Sequence, residues 1–182
     1  MKVLFLNYEY PPLGGGAGNA TKFLLQEYAN RTGLDVHLVT SSVDGQTTEI
    51  SHEKGVRITR LSIGKNGQNL HKQSHKELLI YAWRSYRDIR SRLKRGERYD
   101  VIHAFFGVPC GFVALMLAWE FRIPYIVSLR GADVPGYAER FRWLYTGLKP
   151  IIRLVWRRSA RVISNSNGLR QLARETDRTT DI

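Results

Sequence analysis

Short apolar runs that alternate with longer stretches of helical periodicity constrain the fold of this chain more than any other feature of its sequence. Each run is rich in Val, Ile and Leu, and polar or glycine-rich residues follow it. The predicted strands are residues 3–6, 36–40, 56–61, 100–106, 124–129 and 160–165. Strands of this composition that are separated by helices are typical of a parallel sheet covered on both faces. The pattern therefore predicts an α/β fold.

The predicted helices carry their own start and stop signals. Asn19 is a competent N-cap for a helix over residues 20–28, and Gly33 is typical of a helix stop. Apolar side chains recur every three or four positions over residues 76–93. Further helices are predicted over residues 109–120 and 167–175. Residues 56–61 alternate apolar and polar side chains, which predicts an edge or half-exposed strand.

The length of the chain limits it to one domain. Its 182 residues, of which 43% are hydrophobic, suffice for one substantial core and are too few for two ordinary domains. We therefore expect a single Rossmann-like domain over residues 1–182, with helices on both faces of its sheet. Cys110 is the only cysteine, so no intrachain disulfide can form, and a reducing cytoplasm fits. No run of about 18 apolar residues occurs, which argues against a membrane-spanning helix.

The charge of the chain predicts an attraction to polyanions. It has 28 basic and 16 acidic residues, a net charge of +12. Nucleic acid, anionic lipid and phosphorylated small molecules would all be attracted by such a charge. Arginines on solvated helix faces would explain the same composition without any partner.

Polar and glycine-rich residues follow several of the predicted strands. Ligands in parallel sheets bind at the carboxyl ends of the strands, so we expect these residues to meet at one edge. The predicted substrate-binding residues are Gly14, Gly15, Gly16, Gly18, His103, Arg130 and Asp133. We predict neither a metal site nor a cofactor.

The glycine run over residues 14–18 leads from a strand into a helix. A dinucleotide fingerprint that began at Gly14 would need glycine where Asn19 stands, and no Gly-Lys-Ser/Thr of a Walker loop follows. Unpaired N–H groups at the start of a helix can still bind an anion. The alternative is a loop that only turns the chain.

Four segments resemble the family 4 retaining glycosyltransferases. They are YEYPPLGGGAG at residues 8–18, DVIHA at 100–104, IPYIVSLRGAD at 123–133 and ARVISNS at 160–166. They occur in the family's order and cover nearly the whole chain. The resemblance implies a GT-B enzyme of two facing Rossmann-like domains, which retains anomeric configuration without a catalytic metal.

The resemblance also divides the work between the two domains. The N-terminal domain would hold the sugar acceptor, a saccharide or a lipid-linked sugar, and the C-terminal domain would hold the nucleotide-sugar. Only the N-terminal, acceptor-binding domain is recognisable here, so we expect the chain alone to be inactive. Arg130 stands where many members have histidine. Because arginine stays charged, it would clamp a phosphate or sugar oxygen, or pair with Asp133, rather than relay protons.

His103 and the catalytic residue stay open. A histidine at the end of a strand can contact substrate or be a satisfied structural residue. We assign no acid or base role to any residue, and neither the sugar, the donor nucleotide nor the acceptor follows from the sequence.

A basic and aromatic segment over residues 137–158 has helical spacing, with Pro150 as a kink or a break. Such a composition suits an anionic membrane surface, and the protein would then be peripheral on the inner face of the membrane. The predicted membrane contacts are Arg142, Lys149, Arg153, Trp156, Arg157 and Arg158. The alternative is that the apolar side of this helix packs on the sheet.

Two other functions remain open. The chain could be a binding subunit that pairs with a separate donor-domain chain. It could also bind nucleic acid, although no helix-turn-helix, aromatic RNA-binding strand or zinc spacing is present in the sequence.

Overall fold

The computed structural model describes residues 1–51, 56–137 and 142–182, and in these ranges the chain forms a seven-stranded sheet with five α-helices. The strands are β1 (Lys2–Leu6), β2 (Asp35–Ser41), β3 (Thr48–Ser51), β4 (Val56–Leu61), β5 (Val101–Phe105), β6 (Tyr125–Ser128) and β7 (Arg161–Ile163). The helices are α1 (Gly16–Ala29), α2 (His75–Lys94), α3 (Phe112–Phe121), α4 (Arg142–Arg158) and α5 (Asn167–Thr176).

The sheet order β3-β4-β2-β1-β5-β6-β7 places β1 in the centre. β1 pairs in parallel with β2 and β5, and in this register Phe5 lies opposite Leu38 and His103. With this strand order, the rule that parallel crossovers are right-handed places α1 on one face of the sheet and α2, α3 and α4 on the other, and α3 contacts both α2 and α4. The predicted Rossmann-like α/β fold, with helices on both faces, is confirmed.

The outer strand on one side differs from the prediction. β3 runs antiparallel to β4 and forms the edge, so β4 is not an edge strand. The polar side chains of β4 are also less exposed than its alternating sequence suggested, because side chains of neighbouring residues form hydrogen bonds with them. Thr59 is buried, and His37 Nε2 lies 2.7 Å from its Oγ1.

The first helix begins earlier than predicted. Gly15 is its N-cap and gives no side-chain cap, while the amide of Asn19 donates to the carbonyl of Gly15 within the first turn. α2 instead has a full capping box, in which the Ser74 and Glu77 side chains bind each other's backbone amides. The helix predicted from residue 109 begins at Phe112, after a wide helical turn over Gly107–Gly111.

α4 is held against the sheet by its apolar side. The helix runs through Pro150 without ending there, so the predicted break is wrong. Ile152, Val155 and Trp156 are buried, and the Tyr125 hydroxyl donates to the carbonyl of Val155 over 2.6 Å. The packing alternative for this helix is therefore the correct one for these side chains.

Candidate functional site

The loops after β1, β5 and β6 lie at one edge of the sheet. β1 pairs in parallel with β5, and β5 with β6, so the carboxyl ends of these strands point the same way. The glycine loop follows β1, Gly107 follows β5 and Arg130 follows β6. The predicted convergence of these three segments on one edge is therefore met by the topology.

A buried carboxylate ties two of these loops together. Asp133 is only 5% exposed, and it accepts the amide of Gly107 over 2.7 Å and the amide of Arg130 over 2.9 Å. Burial raises the pKa of Asp133, while these backbone amides oppose the rise. Asp133 therefore shapes the loop by binding backbone groups, and its predicted contact with substrate is left without direct support.

The guanidinium of Arg130 lies over the ring of Phe105. Its Cζ lies 3.6 Å from the centroid of the Phe105 ring, a cation–π contact. Nε is buried and has no hydrogen-bond partner among the described residues. Burial lowers the pKa of Arg130. A half-buried cation with an unused donor at this edge is suited to an oxygen-rich ligand.

The glycines of the first loop fall into two kinds. A Cβ at Gly14 would lie 2.6 Å from the Glu9 side chain, and a Cβ at Gly18 would lie 2.9 Å from the carbonyl oxygen of Leu13. Gly15 and Gly16 are exposed, and a Cβ on either would have no heavy atom within 4 Å. Gly14 and Gly18 are therefore positions where the loop packs too closely for a side chain. Gly15 and Gly16 instead have open space beside their Cα atoms.

Glu9 already occupies the start of α1. Its Oε2 accepts the amide of Gly15 over 3.3 Å. Burial raises the pKa of Glu9, while the amides of Gly15 and Gly18 oppose the rise. The anion that this helix N-terminus binds is thus the chain's own carboxylate.

His103 lies in the middle of β5, so its prediction at a strand end is wrong. The side chain is 6% exposed and stacks on Phe5, with ring centroids 4.7 Å apart. Its Nε2 lies 2.8 Å from the Ser128 Oγ. Burial lowers the pKa of His103 to about 4, and Arg130 adds to the shift. His103 is therefore neutral at pH 7, and its side chain is nearly buried beside Phe5.

Another arginine at this edge, Arg60 on β4, is absent from the predicted site residues. Its Cζ lies 5.1 Å from the centroid of the Tyr10 ring, and its Nη2 donates to the carbonyl of Pro11 over 3.3 Å. Nη1 is buried without a partner among the described residues. In the sequence, Arg60 could have been noticed as a polar residue near the end of a strand that alternates apolar and polar side chains.

The segment before α2 packs against the glycine loop. The amide of Gly14 donates to the carbonyl of Leu70 over 2.8 Å. The ammonium group of Lys65 is buried beneath the segment, where it donates to the carbonyls of Asn69 and Lys72 and lies 3.4 Å from Glu77. One lysine therefore fixes the loop that borders the candidate site.

An open groove borders Arg130. It encloses about 400 Å³ and is lined by Arg130, Gly131, Tyr137, Asn165, Ser166, Gly168, Leu169 and Leu172. Within the described ranges, no group of three or more His, Cys, Asp and Glu side chains could hold a metal ion.

Of the predicted membrane contacts on α4, Trp156 is wrong, because this side chain is 1% exposed and its indole packs against Gly107. Arg153 donates to the carbonyl of Thr176, and Arg157 binds Asp177 at 2.7 and 3.0 Å. Lys149 is partly exposed and Arg158 exposed, while the side chain of Arg142 and residues 138–141 lie outside the described residues. The described helices include none that is both long and apolar enough to cross a membrane.

Solved structures of the same fold support this architecture. The α,α-trehalose 6-phosphate synthase of Burkholderia multivorans matches over 97% of the chain, with 13% identity and a TM-score of 0.54. A ugt transferase from Siraitia grosvenorii in complex with UDP matches over 96% of the chain, with 11% identity and a TM-score of 0.53. The UDP-GlcNAc 2-epimerase of Methanocaldococcus jannaschii matches over 97%, with 14% identity and a TM-score of 0.51.

The chain spans less than half of these proteins, namely 42%, 44% and 43% of their lengths. Identities this low indicate the fold alone, and the epimerase shows that this fold serves more than one reaction. No curated protein sequence matches the chain. The family model of the glycosyl transferase 4-like domain matches residues 15–180, which is most of the chain. The chain therefore belongs to the glycosyl transferase 4-like domain family, and it is a glycosyltransferase-like domain of the GT-B type.

Proposed function

We propose that this domain is the acceptor-binding half of a glycosyltransferase that moves a sugar from a nucleotide-sugar to a saccharide or lipid-linked acceptor. The observation that carries the proposal is the open space beside Gly15 and Gly16 at the same edge of the sheet as Arg130, whose Nε has no partner among the described residues. Ligands of doubly wound sheets bind at this edge.

The chemistry of the edge suits a hydroxyl-rich ligand. Glycines without neighbouring atoms let a sugar ring approach the main chain closely. Glu9, whose carboxylate lies at the start of α1, supplies acceptor oxygens for hydroxyl groups, and Arg130 supplies a charged donor. The residues of this edge bind and orient the acceptor, and we assign the proton transfer of the reaction to none of them.

The nucleotide-sugar belongs, in this proposal, to a second domain of the GT-B pair. The less-than-half coverage of the structures of this fold supports the division. The donor-binding domain can be continuous with this domain or a separate chain, and the same binding experiment applies to either arrangement.

The proposal is tested by amide chemical-shift mapping on the ¹⁵N-labelled chain. We expect neutral methyl glycosides from a panel of hexoses to shift the amides of Gly15 and Gly16. UDP-, GDP- and ADP-sugars at equal concentration should leave these amides in place. Arg130→Ala should weaken the glycoside response about tenfold, because a charge-assisted hydrogen bond contributes on the order of 1.5–3 kcal/mol.

Arg31→Ala is the matched control, since Arg31 is exposed and follows α1 at the opposite edge of the sheet. It should leave the response unchanged. Nucleotide-sugars that shift the Gly15 and Gly16 amides while every glycoside fails to do so would reverse the assignment of acceptor and donor.

A further inference from the structure

Three large apolar side chains are exposed on neighbouring helices of one face. Leu79 is 71% and Trp83 60% exposed on α2, and Trp119 is 57% exposed on α3. We call these three side chains the α2–α3 patch. Large apolar side chains that are exposed on neighbouring helices can mark a contact surface.

The patch lies on the outer side of the two helices. Leu79 and Trp83 are four residues apart, so they share one side of α2, opposite the buried Tyr81, Ile89 and Leu93. Glu120, which follows Trp119, binds α2 through the Arg90 Nε and the Tyr86 hydroxyl, each over 2.8 Å. These bonds place the end of α3 beside the outer side of α2.

The surroundings of the patch are positively charged. Lys76, Arg84, Arg87 and Lys94 are exposed on α2, and the Arg87 Cζ lies 5.4 Å from the centroid of the Trp83 ring. The acidic side chains nearby are engaged within the protein. Glu77 caps α2, Asp88 binds Arg92 over 2.8 Å and Glu120 binds Arg90.

We propose that the α2–α3 patch docks the domain on the surface of an anionic lipid bilayer. Tryptophan and leucine on a helix face bordered by lysine and arginine suit the boundary between headgroups and acyl chains. The net charge of +12 disfavours a second copy of the chain as the occupant.

The topology gives the docking an orientation. β4 ends at Leu61 and α2 begins at His75, so the first half of α2 lies towards the edge that holds the glycine loop. Leu79 and Trp83 belong to that half. A bilayer in contact with them would lie close to the candidate site, yet the docking does not depend on which ligand the site binds.

Vesicle cosedimentation of the 182-residue chain tests the proposal. We expect binding to vesicles of phosphatidylcholine with about a third phosphatidylglycerol, weakening as salt is raised, and little binding to phosphatidylcholine alone. The double variant Leu79→Ser, Trp83→Ser should lower the partition coefficient by about tenfold or more, because both side chains lose their burial in the bilayer.

Phe23→Ser is the matched apolar control, since Phe23 is 65% exposed on α1, on the other face of the sheet. It should change the partition coefficient by less than about twofold. A charge comparison is independent of apolar contacts. Lys76→Glu with Arg87→Glu should abolish vesicle binding, whereas Lys22→Glu with Arg31→Glu on the α1 side lowers the net charge equally and should retain most of it.

Three results would overturn the proposal. One is an absence of vesicle binding by the unaltered chain at low salt, and another is equal loss from the two charge pairs. The third is a dimer in solution that Leu79→Ser with Trp83→Ser dissolves, because the patch would then be an interface between copies. Circular dichroism should show unchanged folding of every variant, as all the altered side chains are exposed.

Discussion

At the scale of single residues, the glycine loop makes a prediction about stability. A Cβ at Gly18 would lie 2.9 Å from the backbone oxygen of Leu13, which cannot rotate away, and one at Gly16 would meet nothing within 4 Å. We expect Gly18→Ala to lower the free energy of unfolding by about 1–3 kcal/mol, as overpacking does. Gly16→Ala, the control, should leave it unchanged or raise it slightly. Urea unfolding measures both, and equal values would contradict the close approach of Gly18 to Leu13.

His103 makes a prediction about pH. Its pKa falls from 6.5 to about 4 on folding, so the unfolded chain binds a proton more readily between these values. The stability that His103 contributes is therefore present above pH 6.5 and is lost as the pH falls towards 4, on the order of 3 kcal/mol in all. His103→Gln should show a shallower loss of stability between about pH 7 and 4 than the unaltered chain. Parallel curves would mean that folding does not shift the pKa of His103.

At the scale of elements, an arginine on the outward side of α4 binds the residue that follows α5, so this side of the helix is not only in contact with solvent. Asp177, just after α5, is buried and binds Arg157 through both oxygens, which lowers its pKa. We expect Asp177→Asn to speed hydrogen exchange of the α5 amides several-fold. Asp181→Asn is the control, because its bond to Arg161 joins two exposed side chains. Unchanged exchange in Asp177→Asn would mean that other contacts hold α5.

The order of strands and helices could be predicted because apolar periodicity is a local property of the sequence. β3 escaped prediction because its few residues are mostly polar and its pairing with β4 is not local. The composition of α4 predicts a lipid contact for Trp156 because a stripe of arginine and aromatic residues looks alike on a core-facing and a membrane-facing helix. Only the packing of Trp156 against Gly107 separates the two.

For the edge of the sheet, too, the sequence predicts which residues lie there but not their contacts. The positions of residues 14–18 and Arg130 follow from strand ends alone. The bond from the Gly15 amide to Glu9 depends on how the intervening loop closes, and the environment of His103 depends on strand register. Neither the bond to Glu9 nor the environment of His103 can be predicted from local periodicity.

At the scale of the whole molecule, the proposed division of labour predicts how the domain behaves alone. We expect the 182-residue chain to release no nucleotide from UDP-, GDP- or ADP-sugars in the presence of methyl glycosides, because the donor-binding surface is assigned to another domain. Coupled detection of the released nucleotide measures this. Turnover above the background without protein would mean that donor and acceptor both bind within this chain.

The carboxylate of Glu9 at the start of α1 affects how this helix start responds to the small phosphate compounds of a cell. A bare helix start attracts any small phosphate compound that diffuses past, and metabolites of that kind are abundant. Here the chain supplies its own counter-ion, so a passing phosphate must first displace a tethered group that never leaves. In the proposed function, the start of α1 therefore serves ligands that offer hydroxyl groups, and free phosphate compounds would compete with them little at this position.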